Sequence, residues 1–84
     1  MYKLEPTKAF EKSLKKLTSS EQRAAAKKLK LMVKNPFHPS LRTKKVQRLE
    51  DVFECSVNMD IRILWQHKGD RLILLINIGH HDIL

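Results

Sequence analysis

Two histidines, His80 and His81, follow the most apolar stretch of the chain, Leu72 to Ile78, with only Gly79 between. A titratable pair has no place in a core, so a strand ending Gly79-His80-His81-Asp82 delivers it to the end of a sheet. Imidazole changes protonation near neutral pH, which suits it to proton transfer. His81 is the sharper candidate for a general acid or base. His80, one residue earlier in an extended chain, points to the opposite face, so the two are not equivalent catalysts. An exposed terminal histidine without a role is the plain alternative for His81, and Asp82 reads as a surface carboxylate.

Arg62 interrupts an otherwise apolar strand, Ile61-Arg62-Ile63-Leu64-Trp65. Counting outward from a hairpin turn at Lys68-Gly69-Asp70 places Arg62 beside Asn77 and Ile78, within a residue or two of the histidines. An arginine and a histidine on neighbouring strand ends suit cleavage of a phosphodiester. The guanidinium holds a phosphate bidentately and stabilises the charge added in the transition state, while the histidine moves a proton. The alternative is an arginine laid along the sheet surface. Lys44 and Lys45, with Arg42 and Arg48, suit contact with a phosphate backbone; a solvated basic face is the blander reading. His38, between prolines, reads as structural, and His67, beside the hairpin turn, as pointing away. Trp65 and Cys55 read as core. The histidines lack zinc-ligand spacing, no cysteine pair exists, and there is no glycine-rich phosphate loop or serine-histidine-aspartate signature.

The elements that position these residues follow from periodicity. Tyr2-Lys3-Leu4-Glu5 alternates as a short strand that Pro6 ends. Thr7 caps a helix from about Lys8, with Phe10, Leu14 and Leu17 at helical spacing. Thr18 with Glu21, or Ser19 with Gln22, has capping-box spacing and starts a second helix that runs to about Val33, its inner face supplied by Ala25, Leu29, Met32 and Val33. Asn35-Pro36-Phe37-His38-Pro39 stops it. A basic segment, Leu41 to Leu49, leads into strands at Val52–Val57, Ile61–Gln66 and Leu72–Ile78, the last apolar enough to be covered on both faces. The expected fold is α+β: an N-terminal strand and an αα-hairpin packed on a three- to four-stranded, mainly antiparallel twisted sheet.

The chain has 84 residues and is expected to form a single domain over 1–84. Its net charge of +8 is unevenly placed: residues 1–48 hold 14 Lys and Arg against three acids, and residues 49–84 hold three against six. A basic half of this kind fits a polyanion or an acidic protein partner. No stretch is long enough to cross a bilayer and no signal peptide opens the chain. A single cysteine agrees with a reducing compartment. A cytoplasmic protein without a membrane partner is expected.

The order of these features resembles the RelE/ParE superfamily of bacterial type II toxins along essentially the whole chain. The resemblance rests on the N-terminal strand, the basic helical hairpin, Asn35-Pro36, Lys44-Lys45-Val46, the block Asp60 to Trp65, and the closing Ile78 to Leu84. The ending is most similar to the YafQ-type branch. The resemblance implies a RelE-like fold and a ribosome-dependent mRNA endonuclease that activates the 2′-hydroxyl of the mRNA, needs no metal or cofactor, and is neutralised by a cognate antitoxin. It also implies catalytic roles for His81, Asp60 and Arg62. Further histidines of the branch are replaced here by the Lys44-Lys45 region and Ser56, and the near-C-terminal tyrosine of RelE is absent, since Tyr2 is the only tyrosine. A ParE-like gyrase inhibitor without nuclease activity, or a degenerate toxin kept for antitoxin binding, are the alternatives.

Overall fold

The computed structural model describes residues 1–80. Its elements are β1 (Lys3–Pro6), α1 (Lys8–Lys15), α2 (Ser19–Lys34), a 3-10 turn (Pro39–Leu41), β2 (Lys44–Lys45), β3 (Val52–Ser56), β4 (Ile61–His67) and β5 (Leu72–His80). The sheet has five strands in the order β1-β5-β4-β3-β2. Only β1 breaks the antiparallel pattern, running parallel to β5 with Lys3 opposite Leu72. The expected three to four strands become five because Lys44 and Lys45 pair with Glu54 and Phe53, too short a ladder to leave a periodic signature.

The local signals act as read. Thr7 accepts the Phe10 N–H and caps α1. Thr18 and Glu21 form a reciprocal capping box that restarts the chain as α2. Thr18→Ala is expected to cost about 1 kcal/mol, seen as a fall in melting temperature of about 4–8 °C. At the β4–β5 turn Gly69 takes φ +101°, and Arg71 beside it also has positive φ, 58°.

Both helices lie on one face of the sheet. Phe10 from α1 and Ala25 and Met32 from α2 pack on Cys55, Val57, Ile61, Ile63, Trp65, Ile73, Leu75 and Ile78. The other face carries Glu54, Ser56, Arg62, Leu64 and Gln66, the cross-strand partners and alternates of that inward set. β5 is therefore covered by helices on one face only, and its Leu72, Leu74 and Ile76 are half-buried.

A bulge re-registers the two long strands. Leu64 pairs with Asn77 and Trp65 with Leu75, leaving Ile76 without an opposite number. The Thr7 hydroxyl reaches the Leu75 and Ile76 carbonyls at 3.0 and 2.9 Å, tying the first helix cap to the bulge. Beyond it Arg62 stands opposite Gly79, and Ile61 opposite His80. The expected neighbours of Arg62, Asn77 and Ile78, are corrected by the one residue the bulge inserts.

Trp65 is fully buried. It stacks on Phe53, its cross-strand partner, at 4.7 Å between centroids, and meets Phe37 edge-on at 5.8 Å. Its Nε1 has no hydrogen-bond partner among the described residues. Trp65→Ala is expected to cost about 3–5 kcal/mol, most of the stability of a domain this size. Trp65→Phe is expected to cost far less, because it removes the orphaned N–H together with part of the ring. Urea midpoints of the two variants check both statements.

Candidate functional site: a cationic cleft at the β3–β4 turn

β2 flanks only the first part of β3, so the sheet edge is open from Cys55 onward. There the chain turns through Asn58-Met59-Asp60 into β4. The Asn58 side chain holds that turn by accepting the Asp60 and Ile61 N–H groups, both at 2.8 Å. A cleft of about 320 Å³ opens beside it, lined by Lys28, Ser40, Arg42, Ser56, Asn58 and Arg62, with Val57 and Met59 as its apolar part.

Arg62 is fixed rather than trailing. Its Nη1 donates to the Asn58 carbonyl at 2.7 Å and to the Ile61 carbonyl at 3.2 Å. Guanidinium has five N–H donors. The Nε and Nη2 donors make no hydrogen bond to any described residue, and no carboxylate among the described residues lies within ion-pair reach of Arg62, Lys28 or Arg42. An oriented fork without a counter-charge suits an incoming phosphate.

The other cations come from elements the sequence separates widely. Lys28 lies on α2, three residues after buried Ala25 and four before buried Met32. It is half-buried, and its Nζ reaches the Ser40 carbonyl at 3.4 Å. Arg42 ends the 3-10 turn in a left-handed conformation, φ 50° and ψ 44°, with its N–H donating to the Pro39 carbonyl at 3.2 Å. Lys28, Ser40 and Asn58 were not singled out by sequence reasoning, and Ser56 was named only as standing where the YafQ-type branch has a histidine. For Lys28 the signal is present: a lysine on the buried stripe of a helix needs somewhere to put its charge.

The basic segment divides. Arg42 joins Arg62, whereas Lys44, Lys45 and Arg48 line a separate shallow cleft of about 260 Å³ with Val46, Gln47 and Glu54. Asp60 is exposed in the turn and outside the lining of the Arg62 cleft. His81 lies outside the described residues. His80 shares the helix-covered side with Ile61, its Nε2 4.0 Å from Glu21 Oε2, so it faces away from the Arg62 side of the sheet.

The remaining candidates are structural. His38 caps the 3-10 turn, its Nδ1 accepting the Ser40 N–H at 3.1 Å. His67 sits near Tyr2 at the far end of β4, five residues or about 17 Å from Arg62. Burial pushes the Cys55 thiol up to about 12 from 9.0, so little of it is thiolate, the nucleophilic form, at neutral pH. Because its folded value is raised, Cys55 supports the fold fully below pH 9 and lowers stability progressively between pH 9 and 12, by about 1.4 kcal/mol per pH unit. Cys55→Ala is expected to flatten that part of the stability–pH curve, read as urea midpoints across the range. Among the described residues no group of three His, Cys, Asp or Glu could hold a metal ion, and no helix is long and apolar enough to cross a membrane.

Similar architectures exist among solved structures. A chain of the archaeal RelE–RelB complex from Pyrococcus horikoshii superposes with a TM-score of 0.80 over 99% of this chain and 98% of that one, at 15% identity. The fold is that of the RelE/ParE toxins. The Escherichia coli DinJ–YafQ toxin-antitoxin complex gives a TM-score of 0.80 over 99% of this chain and 96% of the matched one, also at 15% identity. A YoeB/ParE toxin from Agrobacterium tumefaciens gives 0.81 over 94% and 98%, at 11% identity. No protein-family model and no curated protein matches the sequence. RelE-like architecture is thus reached by a chain that shares few residues with these toxins, and it places Arg62 on the open face of the sheet, beside the turn.

Proposed function

We propose that this chain is the toxin of a type II toxin-antitoxin pair and cleaves mRNA on the ribosome, in the cytoplasm. The observation that supports this most is Arg62: a guanidinium oriented by two carbonyls, lining a cleft with two further cations and no described carboxylate. In this reading Arg62 grips the scissile phosphate and stabilises its extra negative charge. The 2′-oxygen loses its proton and bonds to phosphorus, the bond to the 5′-oxygen breaks, and that oxygen gains a proton. His81 is the residue assigned to proton transfer, and Asp60, on the turn beside Arg62, supports the site. Lys44, Lys45 and Arg48 hold the RNA backbone away from the reacting phosphate. The net charge of +8 suits a ribosomal RNA surface and an acidic antitoxin alike. An antitoxin partner is supported by similar folds solved as RelE–RelB and DinJ–YafQ complexes.

The fold also serves a toxin described as YoeB/ParE, so architecture alone does not choose between a nuclease and a gyrase inhibitor. Mapping of mRNA 5′ ends on translating ribosomes decides it. Codon-phased cuts appearing with the protein support the nuclease; intact mRNA with growth arrest and an induced DNA-damage response refutes it.

A further inference from the structure

We propose that Lys28 and Arg42 form a second phosphate subsite for single-stranded RNA, adjoining the one at Arg62. The proposal rests on the nuclease reading and extends it to the nucleotide next to the cleaved bond. The cleft's volume of about 320 Å³ is at the low end for small-ligand sites, which fits one nucleotide unit rather than a stack of several.

Three cations from α2, the 3-10 turn and β4 line this one cleft, and no acidic residue does. Gathering like charges is unfavourable unless an anion arrives to offset them. The support is rigid. The turn that carries Arg42 is anchored by fully buried Leu41, capped by His38 and joined to α2 through Lys28 and the Ser40 carbonyl. Arg42 itself is held with positive φ, a conformation that an L-residue adopts at a cost. Ser40, Ser56 and Asn58 add neutral polar groups for phosphate or ribose oxygens. An acidic protein segment would need apolar anchors as well, and here only Val57 and Met59 are available.

Binding of a fluorescent single-stranded RNA with a 2′-O-methyl backbone, which cannot be cut, tests the subsite by anisotropy across a salt series. Each of Lys28→Gln and Arg42→Gln should weaken binding about tenfold and lower the salt slope by about 0.7. Lys16→Gln, on an exposed lysine outside the cleft, should bind as wild type. Arg42→Gly should melt no lower than Arg42→Gln, since glycine accepts the left-handed backbone, yet lose the same affinity, which separates binding from folding. Wild-type affinity and slope in Lys28→Gln and Arg42→Gln, with only Arg62→Gln weakened, would overturn the subsite and leave the nuclease reading intact. RNA binding that depends on Lys28 and Arg42, with no mRNA cut on ribosomes, would uphold the subsite and sink the nuclease reading. Tighter binding of polyglutamate than of RNA, lost in the same two variants, would overturn the proposal in favour of an acidic protein segment.

Discussion

Arg62→Ala is expected to lower mRNA cleavage on translating ribosomes about 10²–10³-fold, the range for removing one preorganised donor to a developing charge. The effect should fall on the chemical step rather than on folding. Arg62 is half-buried, and of the two carbonyls it supports, that of Ile61 also accepts the Val57 N–H at 2.9 Å. The turn keeps the Asn58 side chain as its own clamp. Thermal melts of Arg62→Ala should therefore stay close to wild type while activity collapses. Arg62→Lys should recover little, because an ammonium cannot anchor on two carbonyls and present a second fork to the phosphate. A variant with normal cleavage would place the phosphate elsewhere.

His81→Ala is expected to lower cleavage about 10²–10⁴-fold, the contribution of a positioned general acid or base. His80→Ala is expected to change it by less than about threefold. The contrast follows from register: His80 stands opposite Ile61, on the side of the sheet that the helices cover, and its near neighbour is Glu21. Arg62 stands opposite Gly79 on the other side. If His81 moves the proton, the wild-type rate should depend on pH in a way that the residual rate of His81→Ala does not. Loss of activity in His80→Ala with retention in His81→Ala would reverse the assignment.

Much of this was legible because it is local. Thr7 and the Thr18–Glu21 box mark the helix starts through hydrogen bonds that close within a few residues, and Pro36, which has no N–H to donate, follows the end of α2. The alternation of Phe53, Cys55 and Val57 marked the inward face correctly. What was missed is non-local. The parallel pairing of β1 with β5 joins residues almost seventy apart. The two-residue ladder of β2 is too short for periodicity. The bulge at Ile76 is held by Thr7, far away in sequence, and it moves the partner of Arg62 by one residue, from Ile78 to Gly79. The site shows the same divide. Arg62 stood out as a charge in an apolar strand. Lys28 looked like one more lysine of a basic helix until the fold brought Ser40 and Arg42 beside it. Arg42, grouped in sequence with Lys44, Lys45 and Arg48, belongs in space with Arg62.

In the proposed function an oriented arginine in a cationic cleft serves RNA cleavage. The most direct test is 5′-end mapping of mRNA on purified translating ribosomes, with wild-type protein and Arg62→Ala side by side. Codon-phased cuts ending in 2′,3′-cyclic phosphate are expected with the wild type, and their near-complete loss in the variant. Intact mRNA with fully folded wild-type protein, or identical cuts by both, would contradict the proposed function.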